Sequence, residues 1–488
     1  MTDWFSAPDY RLARFVIERG LAAVYLLAFV CVLNQFPALL GERGLLPVPR
    51  FLRGLRFRDE PTLFWLHYSD HLLRVVGWAG VLLAGTLVLG LPQTGPLWLP
   101  MLAWLILWLL YVSIVNVGQR FYSFGWESLL LEAGFLAIFL GNASTAPPLA
   151  VLLLFRWLVF RVELGAGLIK LRGDRCWREL TCMDFHHETQ PMPGPLSWYF
   201  HRLPRRLHRI EVLGNYAAQL VAPFMLFLPQ PVAAVGSLLI IATQAYLIVS
   251  GNYAWLNALT LVIAFAGLPD SWIGRLVPGS VSEASFVPSP YWFVACVLLL
   301  AGAVVVLSYW PVRNLIGPYQ RMNYSFNRLH LVNTYGAFGS VTRQRHEVVL
   351  EGTDSVVLSN NAVWREYEFR GKPGDPHRRP PQFAPYHLRL DWLMWFAALS
   401  PRYAEDWLLS LVRQLLQNDP AVTRLLRRTP FPATPPHWIR GQLYHYRFTT
   451  SAERRATGAW WVRELVANYF PPVTLRHDTG PTPGGSDG

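Results

Sequence analysis

From about residue 15 to residue 310 the chain is a series of long apolar runs, and this one feature limits its folds more than any other. A helix crossing the hydrocarbon of a bilayer needs about 20 mostly apolar residues. About nine stretches approach that length, near 15–36, 72–91, 97–117, 125–141, 148–170, 212–229, 232–250, 253–268 and 291–310. Only 15% of the residues are charged, against roughly a quarter in soluble domains. Charge gathers in two loops and in the last third of the chain. The expected fold is a mainly α multi-pass membrane protein with about nine transmembrane helices, followed by a C-terminal soluble domain.

The boundaries expected are 1–310 for the membrane domain, 311–473 for the soluble domain and 474–488 for a disordered tail ending TGPTPGGSDG. Beyond Trp310 the segments 346–352, 362–371, 441–450 and 459–470 carry the β-branched and aromatic residues of strands. Residues 389–399 and 405–417 space their apolar positions as helices do. The soluble part is therefore α+β, or β-sandwich-like with an inserted helical hairpin. Residues 372–387, dense in Pro, read as an extended loop. No cleavable signal peptide stands out, and the first apolar run reads as a helix that stays.

The net charge is +12, from 43 basic and 31 acidic residues. Much of the Arg flanks apolar helices, where it sets topology and meets anionic lipid, and no nucleic-acid motif is present. Membrane lipids are thus the expected partners, and nucleic acid is not. Five arginines lie in loop 41–71 and seven in loop 171–211. With an odd number of spans, both loops and the C-terminal domain share one side, which the arginine bias makes cytoplasmic. Arg11, Arg14 and Arg19 argue the other way for the N-terminus. Cys31 and Cys296 lie in apolar runs. Cys176 and Cys182 share a polar loop, and the residues leave open whether they pair.

Ionisable groups inside apolar helices are costly unless paired, and they mark function more often than chance. Residues 125–170 hold Glu127, Glu132, Arg156, Arg161 and Glu163. If the two helices turn back tightly over 142–147, a rise of about 1.5 Å per residue brings Glu132 level with Arg156 and Glu127 level with Arg161. Glu163 is then left for Arg120, Lys170 or a polar ligand. Such charges either lock two helices together or line a polar cavity. The loop TCMDFHHETQPMP adds Asp184, His186, His187 and Glu188. Acid/base chemistry and metal binding use these residue types, but the spacing matches no standard zinc site, and adjacent histidines in extended chain point apart. It reads as a structured loop held by Pro191, Pro193 and Pro195, with no metal and no cofactor expected. No nucleophile elbow, phosphate loop or dinucleotide fingerprint occurs.

Several long segments, in order, resemble the lipase maturation factor family: QRFYSFGWESLLLEAGF (119–135), RWLVFRVELGAGLIKLRGD (156–174), DFHHETQPMPGPLSWYFHRLP (184–204), SGNYAWLNALT (250–260), WREYEFRGKPGD (364–375), RRPPQFAPYHLRLDWLMWFAAL (378–399) and WWVRELVANYF (460–470). The resemblance implies an endoplasmic-reticulum membrane protein in animals that helps dimeric secreted lipases fold, without catalytic activity of its own. The Arg-, Ala- and Pro-rich, Lys-poor composition points to a bacterium and so to its inner membrane. Under this reading Trp364, Trp392, Trp395, Trp460 and Trp461 are client-binding candidates for a lipase or other secreted protein. The rival reading is a membrane enzyme acting on a lipid or lipid-linked group through the Glu/Arg cluster, with 184–188 as a lid.

Overall fold

The computed structural model describes residues 4–276 and 285–475. The tail expected to be disordered lies outside them from residue 476 on. The chain forms two compact units: residues 1–344 with 379–389, and 345–378 with the chain from 390 onward. Residues 311–344 and 379–389 thus belong with the helices.

The first unit is helical. Its main elements are α1 (Arg11–Leu40), α2 (Asp70–Leu89), α3 (Trp98–Asn116), α4 (Gly125–Ala137), α5 (Leu149–Arg172), α6 (Met183–Thr189), α7 (Arg205–Tyr216), α8 (Val232–Ser250), α9 (Leu256–Ala264) and α10 (Tyr291–Leu307). Among the described residues, five helical stretches are long and apolar enough to cross a membrane: Pro8–Leu40, Asp70–Leu89, Trp98–Asn116, Val232–Ser250 and Tyr291–Ile316. The protein is an integral multi-pass membrane protein. The other four expected segments are also helical, and they differ for physical reasons. Helix α4 has 13 residues, too few to span by itself, and 12 of them are buried, so it is apolar all round because protein surrounds it. Helix α5 is long but carries four charges on its inward side. Helix α7 continues through a π turn (Ala217–Val221) into Ala222–Met225. The apolar stretch Leu256–Gly267 is short.

Local signals set several boundaries. The Ser69 hydroxyl accepts from Leu72 N at the start of α2, and Gly90, at φ +80°, ends it. Helices α1 and α2 approach closely because Gly80 leaves room for the Phe29 ring, which a Cβ there would meet at 2.4 Å. Arg14, read above as a topology signal, is buried in α1 together with Glu18, and the Arg14 guanidinium donates to the Thr145 carbonyl at 2.6 Å.

The second unit is α+β, with a single antiparallel sheet among the described residues. Its strands are β1 (Arg345–Thr353), β2 (Arg365–Glu366), β3 (Trp438–Phe448) and β4 (Trp461–Val473), in the order β2-β1-β3-β4. Val348 faces Leu443, and Leu443 faces Ala467. Helices Arg389–Leu399 and Leu408–Leu416 lie between β2 and β3 in sequence, close to where apolar spacing put them. The strand expected over 362–371 shrinks to two residues, since most of that stretch finds no ladder partner. Arg345, Glu347 and Lys372 form a buried ion cluster, with Glu347 2.9 Å from Lys372 Nζ.

Candidate functional site

The five charges of α4 and α5 are all buried, and the two expected pairs do not form. Glu132 pairs with Arg161, not Arg156. Its carboxylate also accepts from Asn333 N at 3.0 Å, Asn333 Nδ2 at 2.9 Å and the Tyr335 hydroxyl at 2.7 Å. Arg161 Nη1 donates to the Asn333 carbonyl at 2.7 Å, and its guanidinium lies over the Trp157 ring. Glu127 pairs with Arg389 at 2.7 Å and accepts from the Tyr111 hydroxyl. Among the described residues Arg156 meets no acid: it donates to the carbonyls of Ala266 at 2.9 Å and Leu226 at 3.1 Å.

The depth count fails because the chain does not turn tightly between α4 and α5. Helix α4 ends at Ala137, and 138–148 is an irregular stretch tied to other parts of the unit: Ala143 N donates to the Gln93 carbonyl, and Ala7 N to that of Pro147. Counting residues from a common turn therefore gives no common depth. Both carboxylates find partners from segments far away in sequence, 333–335 and 389. The glycines of the segment 156–174 explain one of these approaches. A Cβ on Gly165 would lie 2.3 Å from the Tyr335 carbonyl oxygen, so only glycine lets that backbone pack on α5.

Beside Glu127, the His387 ring lies among Phe124, Trp126 and Trp255. Burial and then the neighbouring Arg389 charge push its pKa down to about 3, so it is neutral at physiological pH.

Farther along α5, Gln244 Nε2 donates to Glu163 at 2.7 Å, while Lys170 Nζ donates to Asn215 Oδ1 at 2.8 Å and Gln219 Oε1 at 2.9 Å. Gln219 lies in the π turn, a local widening that often accompanies functional positions.

The segment DFHHET is a short helix, α6, not an extended loop, so its side chains spread around an axis. His186 lies 3.0 Å from the Tyr253 hydroxyl, and burial keeps its imidazole well below the usual value. His187 stands 3.5 Å from Glu211, Glu188 3.6 Å from His201, and Asp184 2.9 Å from His208. His201, His208 and Glu211 went unnoticed in the sequence. His208 and Glu211 do stand three apart on one helix, which was the available signal. Cys182, immediately before α6, forms a disulfide with Cys176 in a small core with Trp177, Met183, Val212 and Val341.

A model of the lipase maturation factor transmembrane domain matches residues 12–275, and one of the lipase maturation factor C-terminal domain matches 331–471. Lipase maturation factor 1 of Bos taurus is 43% identical, over 96% of this chain and 90% of that protein. The protein of that name from Homo sapiens is 44% identical, over 95% and 88%. Lipase maturation factor 2 of Gallus gallus is 32% identical, over 96% and 82%.

The chain belongs to the lipase maturation factor family.

No solved structure matches it. The family's transmembrane match contains Glu127, Glu132 and Glu163, α6 and the His208–Glu211 pair, and its C-terminal match contains all five tryptophan candidates. Trp392, Trp460 and Trp461 are buried, and Trp461 stacks on Phe448 with ring centroids 4.1 Å apart. Trp364 and Trp395 are half-buried, with the Arg440 guanidinium 4.1 Å over the Trp364 ring. The apolar side chains most open on this unit are elsewhere, at Val356, Val357, Val363, Leu409 and Leu465. In the helical unit, a groove of about 350 Å³ runs beside Phe135, Phe139, Leu300 and Val304, with Glu132 its one charged lining residue.

Proposed function

We propose that this chain is a membrane-embedded maturation factor that assists the folding or assembly of a secreted lipase or another secreted client. The observation that carries the reading is similarity at over 40% identity across nearly the whole chain to proteins named lipase maturation factor 1. The charge clusters support a helper over a membrane enzyme. Glu127 and Glu132 each face an arginine and hydroxyl donors, as groups do that hold helices together, and the groove beside Glu132 is apolar. Client contact falls to the exposed apolar residues of the second unit, Val356, Val357, Val363 and Leu465, in place of the buried tryptophans.

On this reading the full set of about nine helices lies in the membrane, the shorter ones shielded by their neighbours. The Cys176–Cys182 disulfide supports a non-cytoplasmic placement for its loop, because such bonds persist in oxidising compartments. Loop 171–211 then faces away from the cytoplasm, against the arginine bias and on the client's side. In a bacterium this is the periplasmic face of the inner membrane, and in a eukaryote the endoplasmic-reticulum lumen.

The test is complementation. Animal cells lacking their own lipase maturation factors would express a dimeric secreted lipase with this chain or with an empty vector. Secreted activity should rise with the chain present. No rise, with the chain folded in the membrane of the secretory pathway, would refute the reading. Mass labelling of free thiols in intact membranes checks the topology: Cys176 and Cys182 should be blocked until a reductant is added.

A further inference from the structure

Helix α6 brings His187 against the face of α7 that carries His208 and Glu211. One ligand atom from each of the three lies within 4.8 Å of the other two. His187 Nε2 is 3.5 Å from Glu211 Oε1. Two ligands held at about 2.0–2.1 Å by a tetrahedral zinc ion stand roughly 3.4 Å apart, so this edge already has metal spacing, and the others close with a shift of about an ångström.

Three further observations point the same way. His187 is 1% exposed, and neither of its ring nitrogens makes a hydrogen bond. Glu211 Oε2 is buried and has no hydrogen-bond partner, while its other oxygen accepts from the Tyr246 hydroxyl. Native folds rarely leave several such groups unanswered at one place. Finally, His208 Nδ1 lies 2.9 Å from Asp184 Oδ1, the carboxylate–histidine arrangement that orients a ligating imidazole and fixes its tautomer. His208 Nε2 stands 3.1 Å from the Phe200 carbonyl oxygen, so the ring turns away from that carbonyl when Nε2 meets a cation.

We infer that His187, His208 and Glu211 bind one divalent cation of the zinc type, with Asp184 and Tyr246 as positioning residues. Two imidazoles and one carboxylate suit zinc, whereas calcium and magnesium take oxygen ligands. The ion answers the buried lone pairs and ties α6 to α7. It leaves a fourth coordination position for water. None of this rests on the lipase reading.

The experiment uses the full chain purified in detergent, stripped with a chelator and titrated with zinc alone against a chromophoric competitor. About one zinc per chain is expected. Cobalt(II) in its place should give the intense visible bands of a four- or five-coordinate site, a readout that needs no variant. His187→Ala and Glu211→Gln should abolish both signals, and Asp184→Asn should weaken zinc binding by about 10- to 100-fold while the ligands stay in place. If stripped wild-type protein takes up no stoichiometric zinc, or if uptake by His187→Ala and Glu211→Gln equals that of the wild type, the site is not a metal site.

Discussion

Glu132→Gln leaves the Arg161 guanidinium buried, 1% exposed, without its counter-charge. What stays with it is one carbonyl, Asn333 O at 2.7 Å, and the faces of Trp157 and Tyr335 at 5.5 and 5.9 Å. Removing one partner of a buried pair costs about 3–5 kcal/mol. The two rings hold part of the charge, so the lower end, ~3 kcal/mol, is expected, or about two decades in the folded-to-unfolded ratio. Arg161→Gln costs less, ~2 kcal/mol, because Glu132 keeps three donors from Asn333 and Tyr335. The double variant leaves no lone charge and should cost ~2 kcal/mol in all, a coupling of about 3 kcal/mol. The same cycle on Glu132 and Arg156 should add within about 0.5 kcal/mol, since Arg156 binds only carbonyls. Reversible unfolding in mixed micelles, followed by tryptophan fluorescence, supplies the free energies. Coupling to Arg156 with additivity at Arg161 would refute the pairing and restore the depth argument.

Gly165→Ala should destabilise the helical unit by about 1–3 kcal/mol and speed proteolysis near Tyr335, because the new Cβ meets a backbone oxygen at 2.3 Å. Gly214→Ala on α7, where a Cβ meets nothing within 4 Å, should be neutral or stabilising by up to ~1 kcal/mol in the same unfolding assay. Arg389→Gln strands the wholly buried Glu127 and should cost about 3–5 kcal/mol, with much of the folded yield recovered by adding Glu127→Gln. Glu347→Gln in the second unit leaves two buried cations, Arg345 and Lys372, and should lower folded yield by at least as much, measured by size-exclusion of a fluorescent fusion. Trp461→Ala should cost about 3–5 kcal/mol as a core truncation, whereas Val356→Ser with Val357→Ser should leave stability within ~0.5 kcal/mol and lower client yield; full client yield from the valine variants would remove that surface from the proposal.

The membrane sector was legible in the sequence because the requirement for it is local: about 20 consecutive apolar residues state their own solvent. The strands of the second unit and its two helices were legible for a similar reason, since period and residue type are properties of short segments. The presence of buried charge at Glu127, Glu132, Arg156, Arg161 and Glu163 could also be read, because each sits within an apolar run. Which charge meets which could not. Glu132 depends on Asn333 and Tyr335, about 200 residues away, and Glu127 on Arg389, more than 250 away. No periodicity carries information over that distance. The surroundings of the tryptophans could not be read for the same reason: an aromatic side chain looks alike in sequence whether a core or a partner covers it, and Trp461 packs on Phe448 from the facing strand. The histidines lie between these cases. Sequence alone set His208 and Glu211 three residues apart but left them in loop 171–211; the helix Arg205–Tyr216 puts them on one face, and only the packing of α6 beside it sets His187 at the same point, because a ligand cluster is a property of three side chains meeting and not of any one segment.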